Sequence, residues 1–280
     1  MSDLRLRARS VTELVDAAFQ LYRRDALEYI LVTAVTYAPL LAAQLMVVGG
    51  TGFMTPNDLA TRIGPLWVAL LVLGIAGYAV MTAVVSKYSS DVYLGGAPDL
   101  GAVIRTGFRK ILPLVGAWIL LALLMAIGAF VVVAALSLGG PVLAVVGGFG
   151  ALAWMIYAFA RFVVVLQVII LEDRGVIDAM ARAGTLSRGQ KGHILLTFLL
   201  VGIVALVVMF AVMSFATISG STVAAGFAQM IYTIIAYPLI GIVQMVLYYD
   251  LRIRAEGFDI EVMTAALGGE TAPPAPHTAS

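Results

Sequence analysis

The chain has no cysteine. Disulfide bonds and thiolate metal sites are excluded, and redox chemistry gives no reading of the compartment. Its two histidines, His193 and His277, stand far apart in sequence, so a metal centre built on them is not expected. Charge is scarce too. Charged residues make up 12% of the 280, against about 25% in a soluble domain. No polar segment is long enough to fold as a separate soluble catalytic domain. The net charge is +1 and the basic residues flank apolar stretches, which gives no support for a nucleic-acid partner. Residues 1–28 lack a short apolar core followed by a small-residue cleavage site, so the first apolar stretch is expected to remain as an anchor.

What is present in excess is apolar sequence: 62% hydrophobic residues and a mean hydropathy of +1.03. It is gathered into six long stretches, Tyr29–Val48, Pro65–Ser86, Ile111–Leu136, Pro141–Leu171, Ile194–Ile218 and Ala224–Tyr249. A helix needs about 20 residues to cross a hydrocarbon core of about 30 Å, and each stretch meets that length. The expectation is an all-α polytopic membrane protein with six transmembrane helices. Residues 1–264 form its single domain, and a proline-containing tail, Ala265–Ser280, is too poor in apolar residues to order itself.

The basic residues are one-sided. Fifteen of the seventeen Lys and Arg lie before the first stretch, in the second and fourth connections, or after the sixth. Only Arg62 lies on the other side, and Arg161 lies inside the fourth stretch. Lys and Arg in short loops stay cytoplasmic, so both termini are expected inside. The short outer turns near Gly139–Pro141 and Ser219–Val223 then mark helical hairpins.

Each segment that leads into a hairpin reads as an amphipathic helix. The first opens at Ser10, with Glu13 completing a capping box. Val11, Leu14, Val15, Ala18 and Tyr22 form its apolar stripe. The second follows Pro98-Asp99, with Leu100, Val103, Ile104, Phe108 and Ile111 on one face and Arg105, Arg109 and Lys110 on the other. The third sets Val176, Ile177, Met180 and Gly184 against Asp178, Arg182 and Arg188. The plan is therefore interfacial helix, span, span, three times over. Such helices lie in the headgroup layer of an anionic leaflet, or cap the bundle by burying their apolar faces on protein.

Within the spans, Arg161 is the basic residue to explain. Counted back from Leu171 it falls about 15 Å from the cytoplasmic edge, near the midplane. A charge there costs at least about 2.5–3.5 kcal/mol and must face protein or water. Pro39 and Pro238 fall at a similar depth and leave the carbonyls of Val35 and Ile234 without their helical donors. Arg161, Tyr157, Tyr37, Pro39, Tyr237 and Pro238 are therefore expected to meet in one midplane cluster. It reads either as an internal hydrogen-bonded plug or as a transporter-like site at broken helices. Gln44, Gln167, Gln229 and Gln244 are expected to hydrogen-bond between helices, and Gly74, Gly77, Gly147, Gly148 and Gly150 to allow close approach. Tyr248 and Tyr249 suit an interfacial belt.

The sixth span runs on through LYYDLRIRAEGFD, Leu247 to Asp259. Asp250 with Arg254, and Arg252 with Glu256, are i,i+4 pairs on a helix that outlasts the membrane. Together with Arg105 and Arg109 these four make the candidate cytoplasmic interaction surface. This C-terminal motif, the opening SVTELVDAAFQLYRRD before a span with Tyr-x-Pro, and the block ARFVVVLQVIILEDRGVIDAMARAGTLSRG resemble the glycerophosphoryl diester phosphodiesterase membrane domain family. The resemblance covers about residues 5–262. The chain departs from the family pattern at Gln167, where a proline is frequent, and at Ala183-Gly184, where an aromatic is frequent. The resemblance implies a bacterial inner-membrane protein without the soluble barrel that performs phosphodiester hydrolysis in fused members. No cofactor or metal is implied. The expected role is a non-enzymatic accessory or scaffolding subunit, with membrane lipids and a membrane or cytoplasmic protein as partners. The alternative is a transporter or lipid-handling protein with a midplane cavity around Arg161. A membrane-embedded hydrolase has neither a nucleophile–base pair nor a metal set to rest on.

Overall fold

The computed structural model describes residues 7–36, 64–218, 222–258 and 260. The chain is all-α, with no strand among the described residues. Helix α1 (Val11–Arg24) opens on the capping box: the Glu13 N–H donates to Ser10 Oγ at 3.4 Å and the Ser10 N–H to the Glu13 carboxylate at 2.9 Å. The bond from the Ser10 backbone, with help from Arg7, holds the exposed Glu13 carboxyl down to about 2. The box is therefore intact at neutral pH and weakens only as pH falls below the ordinary carboxylate range towards that value. Helix α2 (Ala26–Thr36) is the described part of the first apolar stretch. Its remainder, with Tyr37, Pro39 and Gln44, lies outside the described residues, as does the tail Ala265–Ser280.

The following helices are α3 (Gly64–Tyr93), α4 (Leu100–Arg109), α5 (Ile111–Ser137), α6 (Pro141–Phe162), α7 (Val165–Leu171), α8 (Val176–Leu186), α9 (Lys191–Ile218) and α10 (Thr222–Glu256). Among the described residues, five segments are long and apolar enough to cross a membrane: Val72–Tyr93, Ile111–Ser137, Pro141–Leu171, Lys191–Ser214 and Met230–Glu256. Helices α5 and α6 form a hairpin, the most extensive helix pairing in the fold. Its turn needs Gly140 at a φ of 100°, which a side chain would resist, and Pro141 then starts the next helix. Of the glycines expected to admit a neighbour, Gly147 does so. A Cβ there would lie 3.2 Å from the Val133 Cα and 3.3 Å from the Leu136 Cβ of α5. Gly148 does not: nothing lies within 4 Å of its Cβ position.

The third of the five segments is two helices. Residues Val163 and Val164 interrupt it, and α7 packs against α3, α5, α8 and α10. Val165, Val168, Ile169 and Gln167 of α7 are all fully buried. At the break, the hydroxyl of Ser187, the C-cap of α8, lies 2.6 Å from the Arg161 carbonyl.

Packing is concentrated at the end of the bundle that carries the basic connections. Leu14 and Leu21 of α1, Met81 of α3, Leu114 of α5, Ile169 of α7, Leu186 of α8, Ile194 of α9 and Met245 of α10 are fully buried there. Towards the other end the same spans turn apolar side chains outward, such as Ile127 and Phe130 of α5, Phe149 of α6, and Leu206 and Phe210 of α9. Exposed apolar surface of that kind has hydrocarbon as its natural solvent, while the helices keep their backbone bonds internal.

The three amphipathic helices part company. Helix α1 buries Leu14, Val15, Ala17, Ala18 and Leu21 and packs on α9 and α10. Helix α8 buries Ala179, Ala183, Gly184 and Leu186, although Ile177 stays exposed. Helix α4 buries only Val103 and Gly107, and Leu100, Ile104 and Phe108 face outward. The stripe read as one face is thus divided. Gly107 seats against α3 so closely that a Cβ would lie 2.7 Å from Val84 Cγ2, and the adjacent stripe is turned off the protein.

The adjacent glycines of α6 supply a test. Replacing Gly147 by Leu is expected to cost about 1–3 kcal/mol through overpacking, read as a fall of several degrees in the melting midpoint of the detergent-solubilised protein. Gly148→Leu is expected to leave it unchanged. Equal effects at the two positions would contradict the hairpin register described here.

Candidate functional site

The residues expected in one midplane cluster hold separate partners. Arg161 keeps Tyr157: its Nη1 donates to the tyrosine hydroxyl at 3.4 Å. Its other neighbours lie towards the basic end. The guanidinium rests on Gly184 of α8, where a Cβ would come within 3.0 Å of Nη2, and stands 5.5 Å from the Phe162 ring centroid. The Lys191 ammonium, at the first residue of α9, lies 5.0 Å from the centroid of the same Tyr157 ring. Arg161 is therefore level with the α8–α9 connection. Depth counted back from Leu171 runs through α7, which packs among α3, α5, α8 and α10. Counted from Pro141 instead, Arg161 is twenty residues into the helix, about 30 Å along it from the Gly140 turn.

Tyr237 is in another place. Its hydroxyl is 2.5 Å from Thr82 Oγ1, and its ring meets Tyr78 edge-on at 4.9 Å. Tyr78 in turn lies 5.0 Å from Trp118. This cluster joins α3, α5 and α10, and α10 continues through Pro238 without ending. Tyr37 and Pro39 lie outside the described residues.

Two polar knots tie the basic end together. The first centres on Glu172, at the end of α7. Its carboxylate accepts from Arg174 Nε at 2.7 Å, from Arg182 Nε at 3.1 Å and from the Tyr248 hydroxyl at 2.9 Å. Arg182 also forms a two-pronged pair with Glu256, and Arg252 reaches Glu256 at 3.4 Å. Hydrogen bonds to Glu256 and then to Glu172 raise Arg182 above the usual guanidinium range, against the opposing effect of burial. A parallel contact, Gln167 Nε2 to Gln244 Oε1 at 3.0 Å, joins α7 to α10 one turn deeper and realises the expected interhelical amide bond. Beside it, Lys110 bonds the Ile169 carbonyl at 2.7 Å and pairs with Asp173, whose carboxyl it holds below its ordinary range. Asp173 caps the helix at a φ of 55°.

The second knot centres on Asp250, whose side chain is 1% exposed. It accepts from the Arg9 backbone N–H at 2.6 Å and from Arg254 Nε at 2.7 Å, and His193 Nε2 lies 3.1 Å away. Arg254 closes the loop by donating to the Arg9 carbonyl. The segment before α1 is thus fastened to α10.

Of the six residues assigned to an interaction surface, Asp250, Arg252, Arg254 and Glu256 are engaged inside the fold, and Arg105 and Arg109 stand exposed on α4. Tyr248 and Tyr249, expected at a lipid belt, are buried in protein, where Tyr249 meets Ser90 at 2.7 Å. Sequence reasoning missed Glu172, Arg182, Lys191 and Thr82 as partners. The available signal was Glu172 itself, a carboxylate placed directly after an apolar run with several arginines in reach.

Among the described residues no three His, Cys, Asp or Glu side chains are placed to hold a metal ion. Compared with known proteins, the chain matches no family model, no curated protein and no solved structure.

Asp250→Ala is expected to cost about 3–5 kcal/mol, because it strands buried cationic and N–H partners. The loss should appear as a lower melting midpoint and as faster hydrogen exchange in α1. Arg105→Ala is expected to change stability by no more than about 0.5 kcal/mol. Protection of α1 that survives Asp250→Ala would show that the knot does not hold it.

Proposed function

We propose that the chain is a non-catalytic scaffold of a bacterial inner membrane, with its basic end and both termini in the cytoplasm. One observation carries the reading: the ionisable groups of that end bond to one another across helices far apart in sequence. Glu172, Arg182, Glu256 and Arg252 lock α7, α8 and α10, and Asp250 locks the N-terminal segment to α9 and α10. Groups held in this way fix a shape, and a carboxylate bound by two or three donors is poorly suited to accept a substrate proton. The one-sided basic connections support the orientation. The resemblance to the glycerophosphoryl diester phosphodiesterase membrane domain family supports the bacterial setting. Transport through a midplane site is not supported, since Arg161 and Tyr237 hold different partners.

The platform presents Arg105 and Arg109 on α4, both exposed. Positive side chains at a rim govern the encounter with an acidic partner surface. A photo-crosslinking side chain in place of Arg109 in intact cells is expected to give a discrete protein adduct, which Arg105→Glu weakens. Labelling of lipid alone would count against a scaffold that docks through this face.

A further inference from the structure

Many cations of the basic end are paired. Arg7 meets Glu13, Lys87 meets Asp91, Lys110 meets Asp173, Arg182 meets Glu172 and Glu256, and Arg254 meets Asp250. Among the cations without a carboxylate, Arg23, Arg105, Arg109 and Arg188 are exposed, whereas Arg161 and Lys191 are half-buried. Neither has a carboxylate within 4 Å among the described residues. They come from different helices, α6 and α9, and converge on one side chain, Tyr157, Arg161 at its hydroxyl and Lys191 over its ring. Two like charges held about one tyrosine side chain repel each other, and a shared anion removes that cost.

The geometry is that of a prepared receptor. The Arg161 guanidinium has its back on Gly184, where even a methyl group would crowd it at 3.0–3.3 Å. The Ser187 bond to the Arg161 carbonyl fixes the backbone beneath it. Its remaining N–H donors, the Lys191 ammonium and the Tyr157 hydroxyl are the groups that recognise a phosphate oxygen. Depth selects the ligand further. Lys191 precedes the apolar run that begins at Ile194, so the charges lie where a span meets its connection, the level of lipid headgroups. Along α6 just below, Ile156 and Phe159 are exposed, apolar surface suited to acyl chains.

We infer that Arg161, Lys191 and Tyr157 form a phosphate site at the seam of α6 and α9, filled by the headgroup of an anionic phospholipid. A soluble phosphate shares the recognition chemistry, and the test separates the two sources. The inference goes beyond the scaffold reading and stands or falls separately from it.

The experiment uses the full chain in nanodiscs of phosphatidylcholine with a minor fraction of phosphatidylglycerol, released gently and weighed by native mass spectrometry. The wild type is expected to retain phosphatidylglycerol at a defined stoichiometry. Arg161→Gln with Lys191→Gln is expected to reduce retention by about tenfold or more, and Arg105→Gln with Arg109→Gln to leave it unchanged. Undiminished retention in the first pair, or an equal loss in the second, overturns the site. Should the first pair not fold, Gly184→Ala keeps both charges while displacing the guanidinium, and retention is again expected to fall; unchanged retention there overturns the inference. Arg161→Gln alone is expected not to lower the melting midpoint in lipid-free detergent, since no ion pair is lost. A lower midpoint would assign Arg161 to packing instead and overturn it. Displacement of the lipid by excess inorganic phosphate assigns the site to a soluble phosphate, and resistance assigns it to the headgroup; both sustain a phosphate site.

Discussion

A bilayer accepts about 20 residues of helix, and Pro141–Leu171 offers 31. At 1.5 Å per residue the stretch would be about 46 Å long as one rod. The chain interrupts it at Val163 and Val164 and packs the last turns, α7, among α3, α5, α8 and α10. Much of the basic end follows from that. The interior position of α7 brings Gln167 to Gln244 and Glu172 to Tyr248 and Arg182. At the break the Arg161 carbonyl meets the Ser187 hydroxyl, a contact between α6 and the end of α8.

The energetics of this end differ from those of the spans. In water, burial of α1 and α8 is driven by the hydrophobic effect, at about 25 cal/mol per Å² of apolar surface. Between lipid-facing helices that force is absent, and close packing at small residues with interhelical hydrogen bonds takes over. The two regimes leave different residues at contacts: Leu14, Leu21 and Leu186 in one, Gly147 against Val133 and Thr82 with Tyr237 in the other. The Asp250 knot lies where they meet. A carboxylate with 1% exposure persists there because the Arg9 N–H, before α1, and Arg254 of α10 both donate to it.

Much of the fold was legible because its signals are local. Span positions follow from hydropathy, the start of α1 from Ser10 and Glu13, and the α5–α6 turn from Gly140 and Pro141. The i,i+4 pairs Asp250–Arg254 and Arg252–Glu256 form as their spacing requires. The candidate site was less legible, because long apolar runs do not announce where the membrane ends. Depth counted from Leu171 led to an expected contact of Arg161 with Tyr237; Arg161 instead meets Tyr157 and Gly184, and Tyr237 meets Thr82 and Tyr78. Likewise periodicity identified the apolar stripe of α4 but not which part of it protein would cover, since that depends on Gly107 meeting Val84. The pairing of Glu172 with Tyr248 spans 76 residues, a distance at which no pattern in one chain assigns partners.

The uneven distribution of packing also has a mechanical side. Helices that are clamped at one end and bathed in hydrocarbon at the other behave like the tines of a fork. A change in membrane thickness is met by tilt of the outward halves of α5, α6 and α9, at fractions of a kcal/mol per Å of mismatch. The clamped end, with its buried knots, has no soft coordinate of that kind. Bilayers of different thickness would therefore alter the splay of the loosely packed ends and leave the clamped face in one shape.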